Sequence, residues 1–133
     1  MPQSTQKKII LLNNHPYHQG YIKELRARTG LEFHQVETRD DAKKMISSGD
    51  YQGLLALSLN IAWRVSDDQD YKFGIEAVRA AKEKGLPTLV LADSQDGELI
   101  NDLLALNPDS KYLVVTKPCP IESCVAFAKY VFR

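Results

Sequence analysis

Five short apolar runs divide this chain, and after each one the apolar spacing changes from continuous to helical. The first, KKIILLN, is unbroken from Ile9 to Leu12, as in a strand covered on both faces. From about Tyr17 to Thr29 the spacing puts Tyr21, Ile22 and Leu25 on one side of a helix, and Gly30 supplies a stop. LEFHQVET sets Leu31, Phe33 and Gln35 against Glu32, His34 and Val36, an imperfect period of two that suits an edge strand. Thr38 or Asp40 can cap the next helix, in which Ala42, Met45 and Ile46 share a face before Gly49. YQGLLALSLN is the third run, and FGIEAVRAAKEKG resumes helical spacing through Ile75, Val78 and Ala81. LPTLVLADS is the fourth, with Pro87 tolerable at its start. DGELINDLLALNP carries a stripe of Leu99, Ile100, Leu103 and Leu104. KYLVVTKP is the fifth run. PIESCVAFAKYVFR closes the chain as a helix opened by Pro120, its expected buried side being Ile121, Val125, Ala128 and Phe132.

Strand–helix alternation of this kind implies a parallel sheet with helices on both faces, because right-handed crossovers place them there. The expected architecture is α/β: a three-layer sandwich with a five-stranded parallel sheet in the flavodoxin-like order 2-1-3-4-5 and five helices. Residues 1–133 read as a single domain with no linker or internal repeat, and residues 1–6 as a disordered lead-in. In this order any ligand crevice opens at the carboxyl ends of strands one and three.

Composition narrows the function. Hydrophobic residues are 44% of the chain and charged residues 26%, as in a globular domain with a real core. Lys plus Arg and Asp plus Glu balance at 17 each, so no net field draws the chain to nucleic acid or to an acidic membrane. No apolar run approaches the roughly 20 residues that cross a bilayer. MPQSTQKK lacks the apolar centre of a signal peptide, and two cysteines without such a signal fit a reducing cytoplasm. Cys119 and Cys124 stand five apart, and Cys124 is expected to face the core of the last helix.

The residues that can carry chemistry follow the strands. Asn13, Asn14 and His15 come after the first, Ser58 and Asn60 after the third, Asp93, Ser94 and Asp96 after the fourth, and Thr116, Lys117 and Pro118 after the fifth. Five strand–helix units of this size, a polar pair closing strand one, Gly74-x-Glu76 opening the third helix and Lys117-Pro118 closing strand five resemble the receiver domain of two-component response regulators (CheY-like). The resemblance implies where that family's working residues fall. The acid pair that holds magnesium falls on Asn13 and Asn14. The aspartate that accepts the phosphoryl group falls on Leu57, or on Ser58 with a register slip of one. The Ser or Thr at the end of strand four falls on Ala92, the lysine on Lys117, and the aromatic switch on Val114, with Tyr112 nearby.

Of the residues that do the chemistry, only the lysine is kept. Phosphoryl transfer to a carboxylate needs magnesium to neutralise the phosphoryl oxygens, and that cation needs carboxylate ligands. Asn13, Asn14 and Leu57 provide none, so no metal, cofactor or catalytic residue is expected. Lys117 is expected either in solvent or paired with Asp93, which could serve only as a displaced ligand.

The long stretch SLNIAWRVSDDQDYKFG holds Trp63 and Arg64, residue types common in binding hot spots, and the acids Asp67, Asp68 and Asp70. DDQD is not a calcium loop, since the glycine and later glutamate are missing. The spacing of His15 and His18 does not fit a cobalamin-binding loop, and the glycine signatures of nucleotide sites are absent. The face built from helix four, strand five and helix five carries Glu98, Asp102, Lys111, Tyr112, Lys129 and Tyr130, a candidate interaction surface of mixed charge with aromatics.

The resulting expectation is a phosphorylation-independent pseudo-receiver, not an enzyme. It would act by protein–protein contact with a regulator, kinase or output domain, or by homodimerisation through helix four, strand five and helix five. It could also be the amino-terminal regulatory domain of a larger regulator. The alternative is a flavodoxin-like domain holding a small ligand in the crevice through Asn13, Asn14, His15 and Ser58. An enzyme built on His15, Ser58 and Asp93 lacks any triad-like spacing.

Overall fold

The structure, a computed structural model, describes residues 7–13, 18–36, 39–57 and 72–133. Strand and helix alternate throughout: β1 (Lys8–Leu12), α1 (Gln19–Thr29), β2 (Glu32–Gln35), α2 (Arg39–Ser48), β3 (Gly53–Ala56), α3 (Lys72–Glu83), β4 (Thr88–Asp93), α4 (Gly97–Leu104), β5 (Tyr112–Lys117) and α5 (Ile121–Val131). All ladder pairs are parallel, and the sheet order is β2-β1-β3-β4-β5. This is the order expected from the sequence, with β2 and β5 at the edges.

The central strands are apolar because both their faces are covered. Ile10, Leu12, Leu54, Ala56, Val90 and Ala92 pack against α2, α3 and α4 through Ala42, Ile46, Val78, Ala81 and Leu103. Ile9, Leu11, Leu55, Leu89 and Leu91 pack against α1 and α5 through Ile22, Leu25, Cys124, Ala128 and Val131. Each fully buried aliphatic side chain stabilises the fold by about 1.5–3 kcal/mol relative to exposure. The two clusters together form the core.

Local signals set the ends of the helices. α1 stops at Gly30, whose φ of 71° is left-handed and whose N–H returns to the Arg26 carbonyl. α4 starts at Asp96, whose carboxylate accepts from the Leu99 N–H at 3.0 Å. The expected helix faces need small corrections. On α4 the buried residues are Leu99 and Leu103, while Leu104 is 48% exposed. On α5 the buried side is Cys124, Ala128 and Val131, and Ile121 and Val125 are only half-buried. On β2, Val36 just past the strand is buried and Gln35 is exposed, so the inward set is Leu31, Phe33 and Val36.

At the amino-terminal edge of the sheet, β3 must pass very close to α5. A Cβ on Gly53 would lie 2.6 Å from the Phe132 ring and 3.0 Å from the Pro87 carbonyl oxygen. Glycine here allows the closing contact of the last helix. Lys7 completes that contact by donating to the Phe132 carbonyl at 2.8 Å.

Candidate functional site

The period of two along the strands builds the crevice. Ile9 and Leu11, Leu55, Leu89 and Leu91, and Leu113 and Val115 all belong to the α1–α5 side of the sheet. One further step of each alternation brings Asn13, Leu57, Asp93 and Lys117 to that side at the carboxyl ends of β1, β3, β4 and β5. Four different strands thus deliver one side chain each to a common site.

Asn13 is fully buried, and its Oδ1 lies 2.6 Å from Nδ1 of His18, the residue that opens α1. A protonated Nδ1 makes this a hydrogen bond from imidazole to amide. Leu57, just beyond β3, is 1% exposed, and its N–H donates to the Leu12 carbonyl at 2.9 Å. The Lys117 ammonium donates to the Leu57 carbonyl oxygen. It neither points to solvent nor pairs with Asp93, the two outcomes expected from sequence. Burial pushes the Lys117 pKa down, against a smaller pull upward from the Asp93 carboxylate. Asp93 itself turns Oδ1 to the Gln95 N–H at 2.9 Å.

Beside these residues lies a pocket of about 420 Å³, lined by His18, Tyr21, Leu57, Leu91, Asp93, Lys117 and Cys119, among others. Tyr21 donates to the Cys119 carbonyl at 3.0 Å and so ties the first turns of α1 to the β5–α5 junction. The Lys117–Pro118 peptide is cis. Tyr21, Leu91 and Cys119 were not among the sequence-derived site residues. Leu91 was legible by parity with Asp93; Tyr21 resembled an ordinary core residue of α1.

Two of the expected positions are corrected. Ala92 belongs to the α2–α4 side of the sheet and does not enter the crevice; Asp93, one residue later, does. A slip of one residue on a strand reverses the face, and counting along the chain cannot detect it. Tyr112, expected on the interaction surface, is 1% exposed, and its hydroxyl donates to the Leu103 carbonyl at 2.6 Å. Asp102 sits on the α3 side of α4, bordering a groove with Ile75, Glu76 and Arg79. Glu98, Lys111, Lys129 and Tyr130 are exposed. Asn14, His15, Ser58, Asn60, Trp63, Arg64, Asp67, Asp68, Asp70 and the Thr38 cap lie outside the described residues.

No family model and no curated protein matches the chain. Solved structures do. A signal receiver domain of a histidine kinase from Syntrophus aciditrophicus aligns with a TM-score of 0.69 at 17% identity, over 95% of this chain and 89% of that one. A response regulator receiver protein from Sinorhizobium medicae aligns with a TM-score of 0.67 at 16% identity, over 96% and 94%. The chain has the receiver fold. A third match, the receiver domain of a sensor histidine kinase from Pseudomonas aeruginosa, was solved with magnesium coordinated in its active site cleft. It aligns with a TM-score of 0.63 at 19% identity, over 96% and 98%.

The described residues of this receiver fold do not fit magnesium. Asp93 is the one carboxylate among the described lining residues of the crevice, and one of its oxygens is already engaged by the Gln95 N–H. Asn13 is a neutral amide occupied by His18, and Leu57 has no ligating side-chain atom. The described residues contain no group of three or more His, Cys, Asp or Glu that could hold a metal. Lys117 turns instead to a backbone carbonyl, a neutral partner that the chain itself supplies.

At the β5 edge of the sheet, α4 and α5 flank the strand from the two faces. Among the described residues the large exposed apolar ones are Leu104 on α4 at 48%, and Phe127 and Tyr130 on α5 at 36% and 47%. Arg133 covers part of the Tyr130 ring, its guanidinium carbon 4.2 Å from the centroid. No described helix is long and apolar enough to cross a membrane.

Proposed function

We propose that this receiver-fold chain is a signalling domain that works without phosphorylation, through protein contacts made by α4, β5 and α5. The observation that carries the proposal is Leu57. It holds the end of β3 with an apolar, buried side chain, and its carbonyl takes the hydrogen bond of Lys117. The described walls of the crevice offer no carboxylate at the end of β3 to accept a phosphoryl group and a single carboxylate, Asp93, to a divalent cation, which favours the surface as the working part. The exposed apolar residues flanking the β5 edge support that assignment, because an edge strand set between such side chains is a natural place for another chain to dock. The partner class is a kinase, regulator or output domain, or a second copy of the chain.

The test has two arms. Incubation with acetyl phosphate and magnesium should leave the intact mass unchanged; a phosphoryl adduct would contradict the proposal. Sedimentation of the chain and of a Leu104→Ser, Phe127→Ser, Tyr130→Ser variant reads self-association. A loss of dimer in the variant supports a homotypic contact, and a monomeric wild type assigns the face to a heterologous partner.

The pocket of about 420 Å³ supports a second reading, a small-ligand site. Its described walls combine the apolar Leu57 and Leu91 with Lys117 and Asp93, the mix typical of ligand clefts. Thermal shifts on adding small anionic metabolites, abolished by Lys117→Met, would favour it.

A further inference from the structure

Both cysteines of the chain stand at the start of α5, next to the crevice. Pro120 is the residue before the first turn of α5, which makes Cys119 the position preceding the cap and Cys124 the fourth helical residue. Those two positions face each other across a helix start, the geometry of a hydrophobic staple. Cys119 packs against the same cluster that buries Cys124, and Tyr21 packs there too. Both thiols are free. Their accessibility differs: Cys119 is half-buried and lines the pocket, whereas Cys124 is fully buried. A reagent in the pocket reaches only Cys119, and any group it leaves there is set beside Cys124.

We propose that Cys119 is a thiol-modification site that takes up a low-molecular-weight thiol from its disulfide, and that Cys124 resolves the adduct. In the first step the Cys119 thiolate attacks one sulfur of the incoming disulfide. The S–S bond breaks, one small thiolate leaves, and a mixed disulfide forms. In the second step the Cys124 thiolate attacks Cys119 Sγ and expels the second small thiolate, which leaves a Cys119–Cys124 disulfide. Two protein thiols lose two electrons, one small disulfide gains them, and the two protons pass to the released thiolates. Burial pushes the Cys124 thiol up to about 11, so the second step is slow at neutral pH and quickens as pH rises. The mixed disulfide occupies the pocket next to Lys117, which gives the crevice a redox-dependent filling. The proposal does not depend on whether the domain accepts phosphate.

Glutathione disulfide and the full chain test it, read by intact mass after acid quenching without reductant. The wild type should show a transient glutathione adduct that gives way to a species two hydrogens lighter than the reduced chain. Cys124→Ala should stop at the adduct, and Cys119→Ala should stay unmodified. A wild type that does not react, an adduct that never resolves at alkaline pH, or a Cys119→Ala chain that is modified at the wild-type rate would each overturn it. Circular dichroism checks that the variants fold. If Cys124→Ala does not, a non-reducing digest of the oxidised wild type decides, because one tryptic peptide should carry both cysteines with the two hydrogens missing.

Discussion

The Lys117 ammonium reaches from the end of β5 across β4 to donate to the Leu57 carbonyl at the end of β3. A lysine that elsewhere would need an acid beside it is held here by main chain, with the exposed Asp93 as its charged neighbour among the described residues. The crevice is therefore closed on itself in three places: Asn13 with His18, Lys117 with Leu57, and Tyr21 with Cys119.

This arrangement has a pH signature. Burial lowers the pKa of Lys117 in the folded chain below its ordinary 10.5, so between those two values the unfolded chain binds more protons. Stability from this group rises with pH through that window, and below it the full penalty for burying the ammonium stands. Lys117→Met removes the term. The stability difference between wild type and variant, measured by urea denaturation at a series of alkaline pH values, should move in favour of the wild type as pH rises to 10.5.

Restoring the family's acceptor should fail. Leu57→Asp replaces a buried aliphatic side chain with a carboxylate, which should cost about 2 kcal/mol or more. It should not create a phosphoryl acceptor, because Asn13 remains a neutral amide bonded to His18. Urea denaturation reads the first effect and intact mass after acetyl phosphate treatment the second.

Gly53→Ala tests the closure of the last helix. The added methyl meets the Phe132 ring and the Pro87 carbonyl, and overpacking of this kind typically costs about 1–3 kcal/mol. Phe132→Leu in the same chain should recover part of the loss, since it removes the ring but not the carbonyl contact. Thermal melts of the single and double variants compare the two.

Much of this molecule was legible before its structure. The apolar runs have period two or none, the helices have glycine stops at Gly30 and Gly49, and right-handed crossover leaves few sheet orders. The absence of an acid at Leu57 and Asn13 was equally visible. What sequence could not supply was the face of a residue near a strand end. Ala92 and Asp93 are neighbours, and only the packing of Ala92 against the α2–α4 side tells which of them enters the crevice. Tyr112 misled for a similar reason. An aromatic at the first position of an edge strand looks like surface, but its hydroxyl finds the Leu103 carbonyl and the ring is buried with it. Tyr21 and Cys119 come together from positions 98 apart, a contact that no local pattern encodes.

The most direct measurement is an amide NMR titration with magnesium, followed by magnesium plus beryllofluoride as a phosphoryl mimic. The resonances of Asn13, Leu57, Asp93 and Lys117 should stay unchanged in both steps. Saturable shifts clustered at those residues would contradict a phosphorylation-independent domain, because they would mean that the crevice still binds the metal and the phosphoryl group.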